Sequence, residues 1–299
     1  MGLFGKLFCR KKVSKTEETK ETKKEITFPD NIRELTKLVV DEFIKNTSIP
    51  SIVLKTERRK TGSYDSKLGG LPYMPKNFIY PCNSKGEPLK LLAQLNFSEL
   101  PKLLNYPQKG ILQFFVLTDE MIGVNFDDLS SQDSFRIIYH DEIVSGELLS
   151  DDYPDIAAAE WFPFQGEFAL VGEKGSCPMT EADYRFNDEF LKVWRKHTDI
   201  NIKGSYELGY YEDIFEPPLY EALDSTGIRI GGYPYFTQED PREYASLTRY
   251  DTLLFQIDSG GEGNNEIMWG DSGVANFFIN LEDLKVCDFS KVIYTWDCC

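Results

Sequence analysis

Residues Gly270-Asp271-Ser272-Gly273 spell G-D-S-G, a string that in one class of hydrolases surrounds a serine nucleophile. Such a serine needs a histidine base within hydrogen-bond reach and an acid that orients that histidine. The chain has two histidines, His140 and His197, and neither lies in a recognisable catalytic motif. Ser272 is therefore expected to sit in a tight turn feeding a strand, with Asp271 or Ser272 accepting a backbone N–H. The glycine-rich stretch Ser259–Asn265 lacks the Lys-Ser/Thr ending of a phosphate-binding loop and reads as a hairpin connection. Acidic pairs at Asp127-Asp128, Asp151-Asp152 and Glu239-Asp240 could meet a cation, but carboxylates in loops are ordinarily solvated. The six cysteines are scattered without a C-x-x-C pair, so no metal site, no cofactor and no disulfide framework is expected. Reduced thiols in a cytoplasmic protein are the simplest reading.

Two amides are more informative. Gln94 interrupts the apolar run Leu91–Leu95, and Gln256 interrupts Leu253–Ile257. A buried amide must find hydrogen-bond partners. Each glutamine either bonds backbone beside the Gly-Gly turn of its own segment or faces a cleft shared by two halves of the protein. Tyr73, Tyr235 and Trp269 are aromatic residues of the kind that anchor interfaces. With Asp271, the candidate binding residues are Tyr73, Gln94, Tyr235, Gln256, Trp269 and Asp271.

The elements that must position them occur twice. Leu68–Tyr73 returns as Ile230–Tyr235 and Leu91–Leu95 as Leu253–Ile257, both 162 residues later. Gly110–Val116 returns as Gly273–Ile279, 163 residues later. Three blocks in one order point to an internal duplication, and so long a period implies two related halves rather than a solenoid.

Hydrophobic periodicity supplies the rest. Ile32, Leu35, Val39 and Phe43 predict a helix from Asn31, with Glu34 placed for a capping box, to about Asn46. A second helix is predicted over 180–197, with Phe186, Phe190, Val193 and Trp194 on one face, and a short one over 98–104. Strands are predicted at 51–55, 89–95, 110–117, 121–126, 134–140, 167–171, 250–258, 266–269, 274–279 and 292–296, and a helical turn at 280–284. The expected fold is α+β: predominantly antiparallel sheet with a few helices, two pseudo-symmetric halves forming one bilobed body. The halves fall at 50–145 and 210–299, joined by a connecting region at 146–209.

Charge is unevenly spread. Residues 1–26 carry eight basic and four acidic side chains, leaving 25 basic and 45 acidic on residues 27–299, a net of −20. Such a body repels nucleic acid, which needs a positive face, and suits a basic protein or peptide partner. Residues 13–25 are a Lys/Glu/Thr tract that cannot bury a core. Residues 1–12 place Leu3, Phe4, Leu7 and Phe8 beside basic residues, a segment suited at most to weak peripheral contact with an anionic membrane.

The blocks Leu68–Pro75, Leu91–Pro101, Gly110–Val116, Ile230–Arg242, Leu253–Asp258, Ile267–Ile279 and Asp288–Cys298 together resemble the YwqG family of bacterial proteins, from about residue 30 to the C-terminus. The resemblance implies a doubled β-rich body and brings no activity or catalytic residue with it. Two functions from different classes are expected to compete: a non-catalytic module that escorts, sequesters or neutralises a basic protein, and a hydrolase that uses a cleft between the halves. The missing His/Cys constellation favours the first.

Overall fold

The computed structural model describes residues 26–144, 146–156, 160–244, 247–260 and 267–299. The amphipathic start at 1–12, the tract at 13–25 and most of the glycine-rich loop lie outside them.

Ten strands form one wholly antiparallel sheet: β1 (Ile49–Glu57), β2 (Lys67–Gly69), β3 (Lys90–Asn96), β4 (Ile111–Val116), β5 (Phe135–His140), β6 (Glu167–Cys177), β7 (Ile228–Gly231), β8 (Thr252–Asp258), β9 (Val274–Ile279) and β10 (Val292–Asp297). Their order is β10-β9-β8-β7-β1-β6-β2-β3-β4-β5. The longest ladder, Ile49↔Cys177 through Glu57↔Ala169, joins β1 to β6 at the centre. Outward from it, β2 to β5 and β7 to β10 run in matching order. Even the irregularities match: the register slips between Leu91 and Ala93 on β3 and between Leu253 and Phe255 on β8. A bulge of this kind sharpens local twist, and the same bend therefore occurs on both sides.

The bend explains why the halves do not form lobes. Curling brings β4 against β8 and β9, with Phe114 centred 4.9 Å from Phe255 and 4.8 Å from Phe277. Phe135 of β5 meets Tyr294 of β10 at 5.5 Å. One apolar core thus runs through both halves, and the nearly closed, barrel-like sheet keeps aromatic side chains where a cleft was expected. The segment 121–126, expected to be a strand, is a turn with Ile122 and Gly123 at positive φ. It lies against β10 and accepts from it, Trp296 Nε1 reaching Met121 O at 2.8 Å and Tyr294 Oη reaching Ile122 O at 3.0 Å. The free edge of β10 is partly taken up by a main-chain bond, Tyr294 N donating to Leu129 O at 3.0 Å, which leaves less of it to pair with another chain. Residues 98–104 are not helical, and Ile267 makes isolated bridges to Phe164 and Gly260 rather than a strand.

A second core lies beside the sheet. Helix α1 (Ile32–Thr47) buries Thr36, Val39, Val40 and Phe43 on one face. The Asn31 side chain does not cap it; the Asn31 carbonyl accepts from Glu34 and Leu35 instead. Helix α2 (Phe186–His197) begins six residues later than its pattern suggests, because Thr180–Arg185 forms turns around the buried carboxylate of Asp183. Its Phe186, Phe190 and Trp194 stack along one face, and Phe43 of α1 meets Phe186 edge-on at 5.2 Å. Glu42 ties the two helices together through Lys196 and His197; the Lys196 bond, followed by that of His197, holds its carboxyl down at about 2. Ile26, assigned to the tail by charge, packs against this core. Two further short α-helices occur among the described residues, α3 (Leu219–Ala222) and α4 (Leu281–Lys285), the second capped by Asn280.

Candidate functional site

Gln94 and Gln256 are fully buried, and each pins the turn of its own half. Gln94 Oε1 accepts from Tyr73 N at 2.7 Å, while Nε2 donates to the carbonyls of Ser63 and Asp65, both at 2.9 Å. Gln256 Oε1 accepts from Tyr235 N at 2.8 Å, and Nε2 donates to Ser225 O at 2.8 Å and Gly227 O at 2.9 Å. Every partner is displaced by the same 162 residues as the glutamines. Between the two anchor points Gly69, Gly70, Gly231 and Gly232 all take positive φ, from 65° to 77°. Neither amide faces a shared cleft.

A second amide backs each pin. On the outer face of the sheet Gln94 lies opposite Gln113, and Gln256 opposite Asn276. Gln113 Nε2 donates to Tyr73 O at 2.7 Å, and Asn276 Nδ2 to Tyr235 O at 2.8 Å. The next row on that face reads Asn96, Ile111, His140 in the first half and Asp258, Val274, Asp297 in the second. Glycine supports the end of both rows: a Cβ on Gly110 would stand 2.5 Å from His140 O, and one on Gly273 1.8 Å from Asp297 O.

Here the halves diverge. In the first, His140 Nε2 meets Gln113 Oε1 at 3.0 Å and its ring stands edge-on to Tyr73 at 5.0 Å. Tyr73 is wholly buried beneath the following loop, its hydroxyl accepting from Val144 N at 2.8 Å. In the second, Tyr235 is half-buried, and among the described residues nothing hydrogen-bonds its hydroxyl. Burial, and then the charges of Asp258, Cys299, Asp297 and Asp224, push its hydroxyl pKa up. Burial also raises the carboxyl pKa of Asp258 and Asp297, against the pull of the backbone amides that each accepts, Gly227 N at 2.8 Å and Gln238 N at 2.7 Å. Asn276 Oδ1 is buried without a hydrogen-bond partner.

The remaining candidates do not join this group. Trp269 is fully buried, stacked at a tilt on Trp296, and so cannot touch a partner. Asp271 and Ser272 are exposed on the turn closed by Gly273 N→Trp269 O at 2.7 Å. Neither accepts the expected N–H; Ser272 has φ 63° and donates its amide to Met268 Sδ. His140 is bound to Gln113, and His197 to Glu42 at 2.6 Å, so neither serves Ser272. Among the described residues no group of three or more His, Cys, Asp or Glu is arranged to hold a metal.

Burial pulls the His140 pKa down to about 4 from an ordinary 6.5. Between these values the unfolded chain binds a proton that the folded one refuses, so stability falls as pH drops from about 6.5 to 4. The loss should be about 1–2 kcal/mol, below the full shift because the ring is partly exposed. Urea midpoints measured across that window should be flatter for His140→Gln. An unchanged slope would assign the acid sensitivity elsewhere.

The family model described as Domain of unknown function (DUF1963) matches residues 66–298. The chain belongs to this family. The match leaves out β1, although that strand forms the central ladder with β6 and is flanked by β7. An 88-residue stretch is also 34% identical to "Increased rDNA silencing protein 4" of Candida albicans, covering 28% of this chain and 14% of that protein. The chain therefore spans only a small part of that relative's length.

Sequence reasoning missed Asp258, Asn276 and Asp297. Asn276 was within reach, since the third repeat block aligns it with Gln113 of the first half. The two carboxylates lack a signal of that kind, because their proximity arises from pairing across β8, β9 and β10. A buried cation at matching points of β2 and β7 was also missed. Lys67 Nζ donates to Gly62 O and Leu71 O at 2.7 and 2.6 Å, and burial pulls its pKa down to about 8; Arg229 donates to Cys177 Sγ at 3.1 Å.

Proposed function

We propose that this protein is a non-catalytic, YwqG-like binding module for a basic protein or peptide, acting by escort, sequestration or toxin neutralisation in the cytoplasm. Its two halves are read as an internal duplication in which the first keeps a closed, neutral version of the outer face and the second an open, acidic one. The observation that carries this reading is the half-buried Tyr235 among Asp224, Asp258 and Asp297 on a body of net −20. Of the three aromatic anchors expected from the sequence, Tyr235 is the accessible one, and it takes over that role. Among the described residues no helix is long and apolar enough to cross a membrane.

A field of this kind speeds encounter with cations and is screened by salt. Fluorescence anisotropy of a labelled Lys/Arg-rich peptide with the full chain should show binding that weakens at least about tenfold between about 50 and 300 mM salt. Tyr235→Ala should raise the dissociation rate, and neutralising Asp151 and Asp152 should chiefly slow association. Binding indifferent to salt, or preference for an acidic peptide, would sink the proposal.

A further inference from the structure

The outer faces of the two halves differ by one missing donor. Gln113 and Asn276 fix their amide nitrogens on the same carbonyl, that of Tyr73 or Tyr235. In the first half the amide oxygen then meets the ring nitrogen of His140 at 3.0 Å. The equivalent oxygen, Asn276 Oδ1, is buried without a partner, and the register position that His140 holds beside Ile111 is held beside Val274 by Asp297. A neutral imidazole can supply an N–H; a carboxylate can only accept. The second half therefore presents acceptors where the first has a bonded donor and acceptor, and a buried acceptor left unpaired costs about 1–3 kcal/mol.

Two further observations say what is missing. Asp258 and Asp297 both lie opposite Val274, on the strands either side of it, so two carboxylates flank a single residue across strands about 4.8 Å apart. The nearby cation, Arg229, is engaged by Cys177 Sγ and Thr226 O. Tyr235 is half-buried where Tyr73 is wholly buried, and it offers part of its aromatic surface to a cation. One amide oxygen and two carboxylates from three strands do not form the planar fork that suits a guanidinium. They suit a compact group with three donors.

We infer that the outer face of β8–β10 is a receptor for a primary ammonium group, seated between Asn276 Oδ1, Asp297 and Asp258 beside Tyr235, in the place that the first half fills with His140. This rests on the proposed basic partner and assigns its lysine side chains as the group recognised.

The test is calorimetric titration of the full chain with an acetyl-capped octalysine peptide, the same peptide with every side chain acetylated, and spermidine. Octalysine should bind and the acetylated form should not. Asp297→Asn should weaken octalysine binding about tenfold to a hundredfold, the range for losing a charge-assisted hydrogen bond. The double variant N276Q/D297H, which rebuilds the Gln–His pair of the first half, should abolish binding while keeping the unfolding temperature. E34Q/D41N, equally charge-neutralising but at exposed positions of α1, should change affinity less than about twofold, as expected for exposed charges. Should the double variant fail to fold, Asp297→Asn and Asp258→Asn decide the matter. Octalysine binding that is salt-sensitive but indifferent to these variants would overturn the ammonium site and leave the basic-partner reading standing. No octalysine binding to the unmodified chain would overturn both. Spermidine binding more tightly than octalysine would assign the same site to free amines and overturn the lysine assignment.

Discussion

Gln94→Leu should destabilise the protein by about 3–5 kcal/mol, and Gln256→Leu by a similar amount. Leucine preserves the volume of each side chain but leaves Tyr73 N–H and the carbonyls of Ser63 and Asp65 unpaired, or Tyr235 N–H and the carbonyls of Ser225 and Gly227. Each orphaned buried group costs about 1–3 kcal/mol, and partial relaxation toward solvent keeps the total below the full sum. Gln94→Glu tests the direction of the amide. A carboxylate could still accept from Tyr73 N–H but would confront two carbonyls with no proton to give, so it should be at least as damaging. Urea unfolding at unchanged m-value would measure both changes. A loss under about 1 kcal/mol would mean that the turns hold without their pins.

Arg242→Met is expected to cost about 3–5 kcal/mol, because it strips a fully buried guanidinium from fully buried acids. Arg242 Nη2 donates to Asp240 Oδ2 at 2.6 Å and to Asp183 Oδ2 at 2.9 Å, and Nε reaches Asp240 Oδ1 at 2.9 Å. The guanidinium also lies 4.1 Å from the centre of the Phe278 ring, and so fastens the turn after β7 and the approach to α2 onto the outer face of β9. Arg242→Lys should rescue little, since an ammonium cannot serve both acids through a planar fork. The same network sets an acid limit. Burial alone would raise the Asp183 pKa, but the Arg185 hydrogen bond and the charges of Arg242 and Arg185 outweigh it and leave the pKa below its ordinary 3.8. The unfolded chain therefore takes up this proton first. The stabilisation is complete above the ordinary value and is lost as pH falls through the lowered one. Thermal unfolding should show a sharper acid decline in the unmodified chain than in Arg242→Met. Equal declines would place the acid sensitivity outside this network.

Long, strongly patterned elements were legible from the residues because each carries its own signal. The Phe43 and Phe190 faces of α1 and α2 repeat at helical spacing, and β3, β4, β8 and β9 are apolar runs of strand length. Errors collected where a short segment depends on its neighbours. Lys67–Gly69 and Ile228–Gly231 are strands only because β6 and β1 offer them edges, and neither has the length or alternation to announce itself. Met121–Phe126 has the composition of a strand but turns along β10, where the hydroxyl of Tyr294 and the indole of Trp296 occupy its carbonyls.

The candidate site divides in the same way. The matched glutamines followed from the repeat, since an amide at the same point of two apolar runs has to be satisfied by something repeated as well. That the something is the carbonyls of 63 and 65, or of 225 and 227, could be known only from the folded loops. The sequence by itself determined the antiparallel, β-rich class, the paired blocks and the acidity of the body, because propensity, spacing and charge are local or additive properties. Tertiary structure alone decided that the two halves share one core, that Tyr73 and Trp269 are buried while Tyr235 is partly accessible, and that Asp258, Asn276 and Asp297 lie on one face of three neighbouring strands. Curvature from the two bulges closes the core, and cross-strand pairing brings together residues up to 39 positions apart, so neither leaves a mark at any single residue.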